Sequence, residues 1–82
     1  MDVARSPQQL GNLIARTRKQ RGWNQTQLGG QAGIRQKTIS QIETGNPAAR
    51  LDTILSVLAA LDLEIRVAPR TKGRAADIED IF

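Results

Sequence analysis

The sequence predicts an all-α fold of four short helices, followed by a single C-terminal strand that pairs with another copy. Three observations predict this class: capping residues stand before apolar segments, apolar residues recur at helical spacing, and one later segment alternates apolar and charged residues. We expect the helical domain over residues 6–61, the strand over 62–68 and a tail over 69–82. A chain of 82 residues has room for one domain.

The first helix is predicted from its N-terminal residues. Ser6 is a favourable N-cap, Pro7 suits the first helical position, and Gln9 stands where it completes a capping box. Gly22 is expected to follow the end of the helix. The residues at helical spacing are Leu10, Leu13, Ile14 and Thr17.

The second helix has the same kind of start. Asn24 and Gln27 have the spacing of a capping box, and Trp23 and Leu28 that of a hydrophobic staple. Trp23 is therefore expected to pack in the core. Gly33 ends this short helix, because glycine adopts the left-handed conformation that a sharp turn requires.

Two further helices follow, over about residues 36–44 and 51–61. Ile39 and Ile42 are expected to face inward on the first of them, which Gly45 ends. The apolar side of the last helix is predicted to consist of Leu51, Ile54, Leu55, Leu58 and Leu61.

Residues 63–67 alternate apolar and charged side chains, which is typical of a half-buried strand. A lone strand leaves its backbone groups unpaired, so we expect it to form a two-stranded antiparallel ribbon with a second copy. The predicted dimer contacts are Leu63, Glu64, Ile65, Arg66 and Val67. If the ribbon is centred on Ile65, Glu64 lies opposite Arg66 of the other chain. The alternative is a further helical turn or a loose arm.

The composition excludes several classes of function. The chain has no Cys and no His, so we expect no disulfide, no metal site, no cofactor and no acid–base enzyme. Nor is a small-molecule substrate expected. No apolar run is long enough for a membrane span and the first residues do not resemble a signal peptide, which predicts a cytoplasmic protein. The net charge of +4 favours a partner that carries phosphates.

Residues 25–44 combine a short helix, a glycine turn and a second helix, with Gly29 where the two helices would cross. With the strings WNQTQLG, AGIRQKTISQIETG and LDTILSVLAAL, the chain resembles the lambda-repressor-like (Xre) helix-turn-helix family over about residues 10–61. The resemblance implies that the second helix of the motif enters the DNA major groove, and that a dimer binds a palindromic operator in double-stranded DNA.

The resemblance also implies roles for individual residues. Gln36, Lys37 and Gln41 match positions that contact base edges in this family. The candidate phosphate contacts are Gln25, Arg35, Thr38, Ser40 and Arg18. Arg18 also matches one member of a family ion pair, with Glu43 as the other. The alternative for the polar residues is an ordinary solvated helix face.

A narrower resemblance is to the antitoxins of HipBA-type toxin–antitoxin systems, in which an Xre domain is followed at once by a dimerising strand. The segment LDTILSVLAALDLEIRV has this arrangement. The resemblance implies repression of the protein's own operon and neutralisation of a HipA-like Ser/Thr kinase. The alternatives are a small Xre regulator without a toxin and a protein-interaction module that does not bind DNA.

The tail is the candidate docking segment for such a kinase. Ile78, Ile81 and Phe82 fall on one side if the last residues form a helical turn, and acidic residues stand beside them. The alternative is an unstructured end.

Overall fold

The computed structural model describes residues 2–70, which form four helices joined by short connections. The helices are α1 (Pro7–Gln20), α2 (Gln25–Ala32), α3 (Gln36–Glu43) and α4 (Leu51–Ala60). The predicted all-α class is confirmed, and each helix ends within about two residues of the expected position. Within this part of the chain no helix has the length and hydropathy to cross a membrane. The predicted docking residues Ile78, Ile81 and Phe82 lie outside the described residues.

Side chains cap the first two helices, as the sequence indicates. The Asn24 side chain accepts from the backbone N–H of Gln27, and the Gln27 side chain accepts from that of Asn24, each over 2.8 Å. In α1, Ser6 Oγ accepts from the N–H of Gln9 over 3.1 Å. The predicted reciprocal contact is wrong by one residue, because Gln9 Oε1 accepts from the N–H of Arg5 instead of that of Ser6.

The helices enclose one small core, and α3 lies against both α1 and α2 while α2 also packs on α4. Trp23 is partly buried against this core, as predicted. The core is completely aliphatic and consists of Ile14, Leu28, Ile39, Ile42, Val57, Leu58 and Leu61.

The prediction for α4 is partly wrong. Val57, which was not placed on the apolar side, is completely buried, whereas Leu51 and Leu55 expose 63% and 45% of their surface. The periodicity identifies a helix with several apolar residues. Which of them are buried depends on where α2 contacts the helix, and helical spacing does not contain that information.

The turn between α2 and α3 depends on two glycines. Gly33 has φ +71°, a left-handed conformation that L side chains rarely adopt. Ile34 then donates its N–H to the Gly29 carbonyl over 2.8 Å. A Cβ at Gly29 would overlap the Ile34 carbonyl oxygen, so this position requires glycine. The turn therefore fixes α3 closely against the end of α2.

The end of α4 is also closed by hydrogen bonds. Asp62 adopts φ +59°, its N–H binds the Ala59 carbonyl, and the N–H of Leu63 binds the Leu58 carbonyl, a Schellman arrangement. The Arg21 guanidinium donates to the Leu61 carbonyl over 3.0 Å and ties α1 to the same end. Residues 63–70 have neither helix nor strand in this single chain. Pairing of Leu63–Val67 with a second copy stays a prediction.

Two adjacent glycines of α2 are expected to respond oppositely to a methyl group. Gly29→Ala should lower the free energy of unfolding by about 1–3 kcal/mol, because the added Cβ meets the Ile34 carbonyl. Gly30→Ala should raise it by about 0.5–1 kcal/mol, because Gly30 is exposed with open space around it and alanine favours the helix. Urea unfolding of the two variants checks the pair. Equal shifts would contradict the close contact at Gly29.

Candidate nucleic-acid interface

Helix α3 has two chemically different sides. Ile39 and Ile42 are buried in the core, whereas Gln36, Lys37 and Gln41 are exposed. Residues three and four apart share a face, so Ile39 and Ile42 form the core side and Lys37 and Gln41 lie together on the solvent side. Gln36, three residues before Ile39, lies at the edge of the solvent side, where it contacts Gln25 of α2. Among the described residues, no hydrogen bond or ion pair involves the side chain of Lys37 or Gln41. The structure thus exposes all three predicted base-contacting residues, although Gln36 is hydrogen-bonded to Gln25.

A buried ion pair holds the C-terminal end of this helix. Glu43 Oε2 accepts from Arg18 Nε over 2.7 Å, and Glu43 Oε1 accepts from Arg18 Nη2 over 3.0 Å. The side chains are only 10% and 6% exposed for Arg18 and Glu43. Arg18 Nη1 also donates to the Trp23 carbonyl, over 2.8 Å. The hydrogen bond with Glu43 raises the pKa of Arg18, although burial acts in the opposite direction. The ion pair that the family resemblance implies is present.

Two glutamines extend this pair to the surface. Gln25 Nε2 donates to Glu43 Oε1 over 3.1 Å, and Gln36 Nε2 donates to Gln25 Oε1 over 2.7 Å. Gln25 begins α2, Gln36 begins α3, and Glu43 ends α3. The contacts therefore connect the buried charges to the first residue of the exposed face. We call Arg18, Glu43, Gln25 and Gln36 the polar chain.

The candidate phosphate contacts are placed less uniformly. Arg35 is exposed and occupies the N-cap of α3, where no side chain caps the first amides. Thr38 and Ser40 are half-buried on α3, and Gln25 is half-buried at the start of α2. Arg18 differs from these, because its guanidinium is directed at Glu43 and at the Trp23 carbonyl inside the protein. Its structural role is the one that the geometry supports.

The sequence analysis missed two features of this site. The contacts of Gln25 with Glu43 and Gln36 cross 18 and 11 residues of sequence, and no local pattern indicates them. Gly11 is buried in α1, where a Cβ would overlap the Ile42 carbonyl oxygen of α3. A signal existed for Gly11, since a glycine inside an otherwise regular helix often marks a close approach of backbones.

Within the described part of the chain, the acidic residues do not form a group that suggests an ion site. Among residues 2–70 there is no group of three or more His, Cys, Asp or Glu side chains that could hold a metal ion. Two exposed aspartates form ion pairs instead: Asp2 with Arg16 over 2.9 Å, and Asp52 with Arg50 over 3.0 Å. The hydrogen bond from Arg50 lowers the pKa of Asp52.

Comparison with known proteins agrees with this architecture. A helix-turn-helix family, HTH_3, matches residues 14–67. Antitoxin HipB of Escherichia coli O6:H1 is 35% identical over 78 residues, which cover 93% of this chain and 83% of the relative. Antitoxin HipB of Escherichia coli strain K12 is 38% identical over 60 residues, 73% of this chain and 68% of the relative.

A solved structure shows a similar fold. A chain in the structure of a HipA-HipB-O2-O3 complex superposes with a TM-score of 0.79 at 32% sequence identity. The match covers 87% of this chain and all of the solved one. The similarity thus spans nearly the whole described region.

Proposed function

The chain belongs to the helix-turn-helix family and is a relative of the HipB antitoxins, and we propose that it is a sequence-specific DNA-binding repressor. We further propose that it is the antitoxin of a HipBA-type operon, which it represses, and that it neutralises a HipA-like Ser/Thr kinase. The observation that carries DNA binding is the exposed polar side of α3, whose other side is held in the core by Ile39 and Ile42.

In this proposal α3 lies in the major groove and its exposed residues contact base edges. Lys37 can donate to the two major-groove acceptors of guanine, and Gln36 or Gln41 can form two hydrogen bonds with adenine. Each such contact contributes about 1–3 kcal/mol of discrimination against the wrong base. The buried side of α3 is fixed by Ile39 and Ile42, so the three polar residues enter the groove on a rigid support.

Phosphate contacts would orient the domain on the duplex. The N-terminal amides of α3 have no side-chain cap, and such amides attract anions because of their unpaired N–H groups and the helix dipole. Arg35 stands at that end and adds a positive charge. Gln25, Thr38 and Ser40 supply neutral polar groups near it. These contacts contribute affinity without base preference.

Two cationic side chains are expected to behave differently on DNA. Arg35→Ala should weaken binding to all sequences and reduce the salt dependence of affinity by about one counterion, because it removes a phosphate contact. Lys37→Ala should instead relax the preference at one base pair. Binding to a selected operator and its single-base variants, measured at several salt concentrations, separates these effects. Lys19→Ala, on the exposed surface of α1, is the control. A change of base preference in Arg35→Ala with an unchanged salt slope would contradict the assignment.

We propose that residues 63–67 pair with the same residues of a second copy. Ile65 and Val67 expose 49% and 97% of their surface in the single chain, and Leu63 exposes 37%. Glu64 and Arg66 alternate with them and lie 3.6 Å apart. Antiparallel pairing would bring the apolar side chains together, pair the backbone groups on the facing edge of each strand and place unlike charges opposite each other. A symmetric dimer in turn presents two α3 helices to a palindromic operator.

Ile65→Asp should therefore lower dimer affinity and, through it, operator affinity by at least about tenfold, because a charge replaces the central apolar contact. Ile65→Val, which keeps an apolar β-branched residue, should retain the dimer. Sedimentation and operator titration on the same samples check this. A wild-type monomer that binds a single half-site as tightly as the palindrome would contradict the ribbon.

The kinase proposal rests on the relatives. The HipB relatives are antitoxins, and one solved neighbour is a HipA-HipB-O2-O3 complex. We propose the corresponding kinase as the partner of this chain, and the tail over residues 69–82, with Ile78, Ile81 and Phe82, as its docking segment. A short acidic and apolar segment can order itself on a partner surface.

Affinity capture from the native host should recover a HipA-like kinase with the full-length chain. A chain that ends at Pro69 should lose the kinase while it retains DNA, because only the docking segment is removed. Recovery of the kinase by both chains would place the contact within residues 1–69. Recovery of DNA alone by both would leave a repressor without a toxin partner.

A further inference from the structure

We propose that Glu43 is a positioning residue for base choice, although it is buried and does not belong to the set expected to contact DNA. The inference rests on the proposed DNA-binding function. Through the polar chain, Glu43 fixes the amide of Gln25, and Gln25 fixes the amide of Gln36. The result is that Gln36 offers one donor and one acceptor to the groove, which is the pattern that adenine requires.

The first step is the orientation of Gln25. Glu43 forms a two-point ion pair with Arg18, so it is an ionised carboxylate that only accepts hydrogen bonds. A side-chain amide beside it must turn its NH2 group inward, as the 3.1 Å contact from Gln25 Nε2 to Glu43 Oε1 shows. The oxygen of Gln25 is then directed away from the core.

In the second step, the orientation of the Gln25 amide determines that of the Gln36 amide. The outward-directed oxygen of Gln25 is an acceptor, so Gln36 must present its own NH2 group, and Gln36 Nε2 lies 2.7 Å from Gln25 Oε1. One N–H of Gln36 is thereby used. The remaining N–H and the oxygen match the N7 acceptor and the N6 donor of adenine. Guanine presents two acceptors, and its O6 would face the Gln36 oxygen.

The inner end of the polar chain is buried and ion-paired. Glu43 and Arg18 are both nearly inaccessible to solvent, and they join α3 to α1 across the core. A Cβ at Gly11 of α1 would overlap the Ile42 and Glu43 carbonyl oxygens, so the backbones of α1 and α3 approach each other closely at this end of α3. An exposed glutamine on its own could present either edge of its amide. The amide of Gln36 is held in one orientation because the polar chain ends at the buried carboxylate of Glu43.

Glu43→Gln tests the positioning role of Glu43, because the substituted side chain supplies an NH2 group that can donate to Gln25. Gln25 would then turn over and present its own NH2 group, and both N–H groups of Gln36 would become free for guanine. We expect the ratio of adenine to guanine affinity at the base pair contacted by Gln36 to fall by at least about fivefold. Binding selection from a randomised duplex library locates that base pair, as the position whose preference disappears in Gln36→Ala.

Gln25→Met is the second variant, and it leaves the buried ion pair intact. Methionine cannot form the hydrogen bonds that Gln25 makes with Glu43 and Gln36. Gln25→Met should therefore reduce the ratio of adenine to guanine affinity even if Glu43→Gln fails to fold. Combined with Gln25→Met, the Glu43 substitution should change the ratio no further. Ile42→Val, which weakens the neighbouring core packing, is the control for a general loss of stability and should leave the ratio unchanged.

The outcomes distinguish the proposal of sequence-specific DNA binding from that of the positioning role of Glu43. A wild-type protein without base preference at any position would refute sequence-specific DNA binding itself. A wild-type protein that prefers adenine at this position, with an unchanged ratio of adenine to guanine affinity in Glu43→Gln and Gln25→Met, would overturn only the positioning role of Glu43. A fall of the ratio in both variants, but not in Ile42→Val, is the result that the proposal requires.

Discussion

The ion pair between Arg18 and Glu43 connects most parts of this small domain. It joins the last turn of α1 to the end of α3, and the same guanidinium binds the Trp23 carbonyl just before α2 begins. Removing one partner of a buried pair costs about 3–5 kcal/mol, because it leaves an uncompensated charge. A domain of this size has a total stability of only about 5–15 kcal/mol. Fold and interface geometry therefore depend on the same two side chains.

The elements of the fold follow closely from local sequence, because helix ends are set by residues near one another. The Asn24 and Gln27 capping box and the left-handed Gly33 are local features, and both are present where the sequence predicts them. Which residues of α4 are buried could not be predicted in the same way. Leu55 and Val57 are both apolar residues of one helix, and only the position of the neighbouring helices decides that Val57 is the buried one.

The candidate site is predictable only in part, for a similar reason. The outward side of α3 follows from helical periodicity once Ile39 and Ile42 are assigned to the core, and the ion pair follows from the family resemblance. The contacts of Gln25 follow from neither the periodicity nor the resemblance. They depend on the crossing of α2 and α3, which is set by the close approach at Gly29, and sequence spacing does not specify the orientation of a side-chain amide.

The separation of α3 into a core side and a solvent side has a consequence for how such proteins diversify. Lys37 and Gln41 are exposed and contribute nothing to the core, so in the proposed binding mode substitutions there would change operator preference at little cost in folding. Gln36 is less free to vary, because its amide is tied to buried charges through Gln25. Related operons in one genome can thus acquire separate binding sites while their proteins keep a common scaffold.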